Sequence, residues 1–68
     1  MLDGWETTPL GQVRAAAMQW AAQRYGLDAD ALEAETAKRI RRHFAQLSVA
    51  GIILLMRDLE REKAKEAA

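Results

Sequence analysis

Hydrophobic residues recur along this chain at intervals of three and four, which is the period of an amphipathic α-helix. The longest uncharged stretch is residues 44–56, FAQLSVAGIILLM, and it lies between a basic segment and a tail of mixed charge. A membrane-spanning helix needs about 20 apolar residues, so this stretch is too short to cross a bilayer. We therefore interpret it as the buried centre of a helical protein, and we expect no membrane association.

A first helix is predicted over residues 9–25, after an irregular lead-in over residues 1–8. Thr8 is a favourable N-cap, and Pro9 is tolerated at the first helical position because its missing N–H would have no partner there. Gly26 should end the helix in the left-handed conformation. The residues of this helix expected in the core are Leu10, Val13, Ala17, Met18, Trp20 and Ala21.

A second helix is predicted over residues 28–46. Its N-cap is either Asp28, or Asp30 with a glutamate three positions later. Acidic residues fill its first turns and basic residues its last turns, an order that complements the helix dipole. Glu35 and Arg39 are spaced as an i, i+4 ion pair. The face expected to be buried carries Ala37, Ile40, Phe44 and Leu47.

A third helix is predicted over residues 49–66, with Ser48 as its N-cap and Gly51 at a close contact. Its first half is apolar nearly all round, and such a helix must be covered on more than one side. We therefore expect a homodimer through this helix. A rival interpretation makes residues 49–56 a β-strand, but the chain offers no second strand to pair with it. The predicted dimer interface consists of Val49, Ile52, Ile53, Leu55, Met56 and Leu59.

Length and composition also favour self-association. The chain has 68 residues, ten acids, ten bases and no cysteine, so its formal net charge is zero and no disulfide can form. One domain of this size buries little apolar surface and usually needs disulfides, a metal or a partner for stability. His43 is the only histidine, and we expect it at the surface. No metal or cofactor site is expected.

Two kinds of side chain are candidates for binding a protein partner. Aromatic and arginine residues concentrate binding energy in interfaces. Trp5 and Tyr25 stand at the two ends of the first helix, and the basic run KRIRRH would place three cations on one face of the second. An acidic partner surface would suit these cations; nucleic acid, or simply a solvated helix end, is the alternative. The predicted partner-binding residues are Trp5, Tyr25, Lys38, Arg41 and Arg42.

Residues 27–62 resemble the C-terminal part of the MerR-like chaperone-modulator family. The resemblance lies in Leu27-Asp28 before a helix, Arg39-Ile40-Arg41, Ala50-Gly51-Ile52 at the start of the last helix, and the charged Asp58-Leu59-Glu60. It implies a helical dimer that binds and restrains a co-chaperone J-domain, or a relative of the helix-turn-helix regulators. In that family a winged helix-turn-helix precedes this segment, whereas residues 1–26 carry one predicted helix, so the resemblance concerns the dimerising part.

We therefore expect one all-α domain of three helices, dimeric through the C-terminal helix. The predicted function is that of a small regulatory or adaptor protein that modulates or inhibits a partner by protein–protein contact. A DNA-binding regulator or cofactor using the basic patch at 38–42 is one alternative, and an accessory subunit or antitoxin is another. No catalytic constellation is present, so an enzyme is not expected. The acidic start MLDGWE lacks the features of a signal peptide, and a cytoplasmic location is expected.

Overall fold

The computed structural model describes residues 4–67, with side chains up to residue 66. Three α-helices follow one another: α1 is Leu10–Tyr25, α2 is Ala29–Ile40 and α3 is Val49–Ala67. Two 3-10 helices, Trp5–Thr7 and Phe44–Gln46, precede α1 and α3. Residues 4–67 contain no strand, so the all-α class is confirmed and the strand interpretation of residues 49–56 is wrong.

The ends of α1 are set by a proline and a glycine. Leu10 begins the helix directly after Pro9, but Thr8 does not cap it, because its hydroxyl donates to the Gly4 carbonyl at 2.8 Å instead. Gly26 has a φ of 66°, and the N–H of Leu27 donates to the Ala21 carbonyl at 3.1 Å. This is the left-handed helix end that the sequence predicts.

The second helix is shorter than predicted. Asp28 is its N-cap and accepts a hydrogen bond from the Ala31 N–H at 2.8 Å, but the helix ends at Ile40, where Arg41 turns left-handed with a φ of 62°. The prediction that it continues to residue 46 is wrong. The Glu33 carboxylate accepts from the backbone N–H of Phe44, at 3.2 Å to both oxygens, and so holds the chain back against α2. A straight helix would instead carry residue 46 about 9 Å beyond Ile40.

This turn decides which side chains of the segment reach the core. Phe44 and Leu47 are buried as predicted, although they stand on the 3-10 helix and just after it rather than on α2. Ala37, which was expected on the buried face, is exposed. The inner face of α2 is formed by Leu32 and by Thr36, whose buried hydroxyl donates to the Leu32 carbonyl at 2.7 Å.

The start of α3 agrees with the prediction. The Ser48 hydroxyl oxygen accepts a hydrogen bond from the Gly51 N–H at 3.2 Å and caps the helix. Gly51 packs against the side chain of Leu47, where an added Cβ would come within 3.3 Å of the Leu47 Cδ2 atom. The close contact expected at this glycine is therefore present, and it is made with a side chain.

The three helices form an up-down-up bundle around one core. The 3-10 helix before α1 packs on α3 near its start, and the last turn of α1 contacts Glu60 and Lys63 further along α3, so α1 and α3 run in the same direction. Alanines on the inner face of α1 let the two helices approach closely. The core consists of Val13, Ala17, Ala21, Leu32, Phe44, Leu47, Ile52, Leu55, Met56 and Leu59. Within residues 4–67, no helix is long and apolar enough to span a bilayer.

Candidate protein-binding surfaces

The side chains predicted to form the dimer interface lie inside the chain's own core. Ile52, Leu55 and Met56 have no exposed surface, Ile53 and Leu59 are buried, and Val49 is half-buried against the core. Their assignment to an interface between copies is therefore corrected. The apolar surface of α3 is covered by α1, by α2 and by the 3-10 helix Trp5–Thr7. Leu54, 61% exposed, is the one large apolar side chain of α3 left in solvent.

The two aromatic residues predicted to bind a partner belong to an intramolecular cluster. Trp5 meets Trp20 edge-on, with ring centroids 6.0 Å apart, and Trp20 lies against Tyr25 with centroids 6.2 Å apart. All three side chains are half-buried and pack on the core. Trp5 and Tyr25 thus fasten the lead-in and the end of α1 to the body.

Tyr25 is further held by a charged group of α3. Its hydroxyl donates to the Glu60 carboxylate, to which Arg24 Nε also donates at 2.8 Å. Burial and this hydrogen bond raise the pKa of Tyr25 to about 12. The hydrogen bond from Arg24, followed by the one from Tyr25, lowers the pKa of Glu60 from 4.5 to about 2. Lys63 Nζ completes the junction by donating to the Arg24 carbonyl at 3.2 Å.

Arg39 joins α2 to α3 in a similar way. Its guanidinium contacts three carboxylates: that of Glu35, with Nε 2.9 Å from Oε1, and those of Asp58 and Glu62. Burial lowers the pKa of Arg39, but the hydrogen bonds that Arg39 donates to Asp58, Glu62 and Glu35 outweigh this effect, and the pKa is raised overall. The predicted pair with Glu35 is confirmed. Arg39 is therefore a structural residue and is not available to an outside ligand.

Three basic residues near the end of α2 remain free, and we call them the basic corner: Lys38, Arg41 and Arg42. All three are exposed, and none forms an ion pair with another residue in the described part of the chain. Because α2 ends at Ile40, they do not share a helical face as predicted; they surround a sharp turn. His43 follows them, exposed, with Nδ1 hydrogen-bonded to Glu33 at 2.9 Å. Of the predicted partner-binding residues, the structure leaves these three cations accessible.

A groove between α1 and α2 was not predicted. It has a volume of about 730 Å³, is open to solvent and is mostly apolar. Met18, expected in the core, lies in it with 41% of its surface exposed. Asp28 is the one charged residue along it, and its carboxylate caps α2. We call this the α1–α2 groove; its lining residues are Gln12, Ala15, Ala16, Met18, Gln19, Ala22, Leu27, Asp28, Ala29 and Leu32.

The outer face of α1 extends this uncharged surface. Between Leu10 and Gln23 the only charged residue is Arg14, whose Nη2 donates to the Ala45 carbonyl at 3.0 Å. The exposed residues of that segment are Leu10, Gly11, Gln12, Ala15, Met18, Gln19, Ala22 and Gln23. Depletion of charge and enrichment of methionine are typical of interface cores. The sequence signal that could have revealed the surface is the uncharged run at 15–23.

Three acidic residues at the start of α2 and along it form hydrogen bonds or ion pairs that stabilise the fold. Asp28 caps the helix, Glu33 holds the turn at Phe44, and Glu35 pairs with Arg39. Among the described residues, no group of three or more histidine, cysteine or carboxylate side chains is placed to hold a metal ion. The hydrogen bonds of Asp28, Glu33 and Glu35 hold α2 and the turn after it in place.

Comparison with known proteins finds no relative of this chain. No family model, no curated protein and no solved structure matches this chain. The resemblance of residues 27–62 to the chaperone modulators stays a prediction. In the structure its first motif precedes α2, its second ends α2, and its third opens α3.

Proposed function

We propose that this chain is a non-enzymatic adaptor or regulatory module that binds an acidic segment of a partner protein through the basic corner. The observation that carries the proposal is that some basic residues are paired with carboxylates of the same chain and others are not. Arg24 and Arg39 are bound by carboxylates of α3, whereas Lys38, Arg41 and Arg42 are exposed without such a partner among the described residues. Three cations without internal partners are available to an outside anion.

The size of the basic corner favours a protein ligand over a nucleic acid. Proteins that bind DNA tightly make about 6–10 phosphate contacts, and three cations would give a salt slope of only about −2.7. A few carboxylates on a protein surface match three cations in number. Such exposed charges mainly speed association and set its orientation.

Variants with matched charge test the proposal. Arg41→Ala with Arg42→Ala removes two charges from the corner, and Arg57→Ala with Lys65→Ala removes two exposed charges from α3. Each protein is tagged, used to capture proteins from its native host, and the captured set is quantified by mass spectrometry. We expect a specific partner to be lost with the first pair and retained with the second, while the helical circular dichroism is unchanged. Equal capture by both variants would contradict the assignment.

The alternative ligand is nucleic acid, which the same exposed cations favour. It is tested by fluorescence anisotropy with a duplex of mixed sequence over a range of salt concentrations. We expect weak binding, because few phosphates can be neutralised. Tight, sequence-selective binding at physiological salt that is lost with the Arg41/Arg42 change would replace the protein partner by DNA. A captured J-domain protein would support the role that the resemblance of residues 27–62 implies.

A further inference from the structure

Apart from Asp28, the lining of the α1–α2 groove carries no charge, so most of the groove can face a copy of itself without opposing like charges. α2 exposes Asp30 and Lys38, and α3 exposes Arg57 and further charged residues along its length, whereas the outer face of α1 exposes none before Arg24. Like charges placed opposite one another across an interface weaken it strongly, and an uncharged face avoids that penalty.

The order of residues on this face is symmetric. Ala15 and Ala22 are equally distant from the midpoint between Met18 and Gln19. If two α1 helices cross antiparallel with a two-fold axis at that midpoint, Ala15 of each copy faces Ala22 of the other. Small residues at both ends of the crossing let the backbones approach closely. The larger Met18 and Gln19 then meet at the centre, where methionine adapts its shape to the space available.

The area that a stable interface must bury also favours a helix of the second copy lying in the groove. A stable interface buries about 800 Å² on each partner, roughly one sixth of the 4599 Å² surface of this chain. The outer face of α1 alone is a strip about 24 Å long. Seating α1 of one copy between α1 and α2 of the other adds Leu27 and Ala29 to the contact. Both helices of each chain then contribute, and the antiparallel crossing also opposes the two helix dipoles favourably.

We propose that the α1–α2 groove is the homodimer interface of this protein, occupied by α1 of a second copy in antiparallel orientation about a two-fold axis between Met18 and Gln19. The basic corner lies outside the groove lining and remains accessible in such a dimer. This inference is independent of the partner proposed above.

The oligomeric state of matched variants tests the proposal by sedimentation equilibrium. Met18→Glu puts a charge in the groove, and Leu54→Glu puts the same charge on the exposed apolar residue of α3. We expect the unaltered chain and Leu54→Glu to have twice the 7.6 kDa chain mass, and Met18→Glu to have the mass of one chain with unchanged circular dichroism. Gln19→Lys, an exchange of one exposed polar residue for another, should dissociate the dimer in the same way.

Disulfide crosslinking tests the orientation, because the chain has no cysteine of its own. A mixture of Ala15→Cys and Ala22→Cys proteins should oxidise mainly to the mixed pair, and each variant alone should crosslink slowly. Rapid crosslinking of Ala15→Cys with itself would show a parallel arrangement and overturn the geometry. A well-folded single chain at all micromolar concentrations, or a dimer broken by Leu54→Glu and not by Met18→Glu or Gln19→Lys, would overturn the interface.

Discussion

Helices α1 and α3 use their sequences in opposite ways. α3 has the strongest apolar stripe of the chain, and that stripe is consumed within the core, where Ile52, Leu55 and Met56 have no exposed surface. α1 is weakly amphipathic, presents small residues inward, and leaves Met18 exposed on an outer face without charge. High hydrophobicity marks the core of this protein, whereas absence of charge on the outer face of α1 marks the surface that we propose for a second copy.

The difference also explains how so short a chain covers α3. The lead-in segment forms the 3-10 helix Trp5–Thr7, which packs against α3 and supplies a side that two helices would leave open. Trp5 is fixed there by its edge-on contact with Trp20. The chain thus closes its own core with a short segment, and α3 does not require a second copy for cover.

The largest difference between the two helices should appear when one side chain on each is truncated to alanine. Leu55→Ala on α3 should lower the free energy of unfolding by about 2–5 kcal/mol, because it leaves a cavity in a fully buried site. Met18→Ala on α1, measured at a concentration too low for association, should change it by no more than about 0.5 kcal/mol, since the residue is exposed. Urea unfolding followed by circular dichroism measures both. Similar costs for the two variants would show that the contrast between the helices is wrong.

A smaller effect concerns the ionic junction between α1 and α3. The pKa of Glu60 is about 2 in the folded chain and its ordinary value is 4.5, so the unfolded chain binds the proton first as the pH falls. The contribution of Glu60 is therefore complete above pH 4.5 and is lost between 4.5 and about 2. Tyr25, with its pKa raised from 10 to about 12, contributes below pH 10 and loses that contribution as the pH rises through this window.

Matched substitutions isolate these two groups from the other titrating residues. Glu60→Gln should reduce the loss of stability between pH 4.5 and 2, whereas Glu66→Gln, which removes an exposed carboxylate, should not. Tyr25→Phe should reduce the alkaline loss. The thermal midpoint, followed by circular dichroism at a series of pH values, reports each difference. If Glu60→Gln and Glu66→Gln have the same acid profile, the junction does not stabilise the packing of α1 on α3.

Local signals in the sequence were sufficient to place most helix ends. Gly26 and Ser48 act as predicted, and Asp28 is the N-cap of the two candidates, because capping depends on residues within a few positions of the helix end. The end of α2 was missed because it depends on Glu33 accepting from the backbone of Phe44, eleven residues later. The hydrophobic periodicity of the segment gives no signal of a contact between residues that far apart in the sequence.

The surfaces were harder to predict than the helices, and for a related reason. An apolar face must be covered, but its pattern does not say whether the cover comes from the same chain or from another one. The assignment of α3 to a dimer interface failed because the lead-in around Trp5 supplied part of the cover. The prediction that Lys38, Arg41 and Arg42 are exposed is confirmed, but the prediction that they share one helical face is wrong, because α2 ends at Ile40.

Two of the three methionines, Met18 on α1 and Met56 on α3, allow one measurement to compare both helices directly. With methyl-¹³C methionine, assigned by Met18→Leu and Met56→Leu, a soluble nitroxide broadens the methyl signals that solvent reaches. We predict that Met56 is protected at every protein concentration, and that Met18 is broadened at low concentration and becomes protected as the chain associates through α1. Broadening of Met56 in the dilute protein, or exposure of Met18 that does not change with association, would contradict the account.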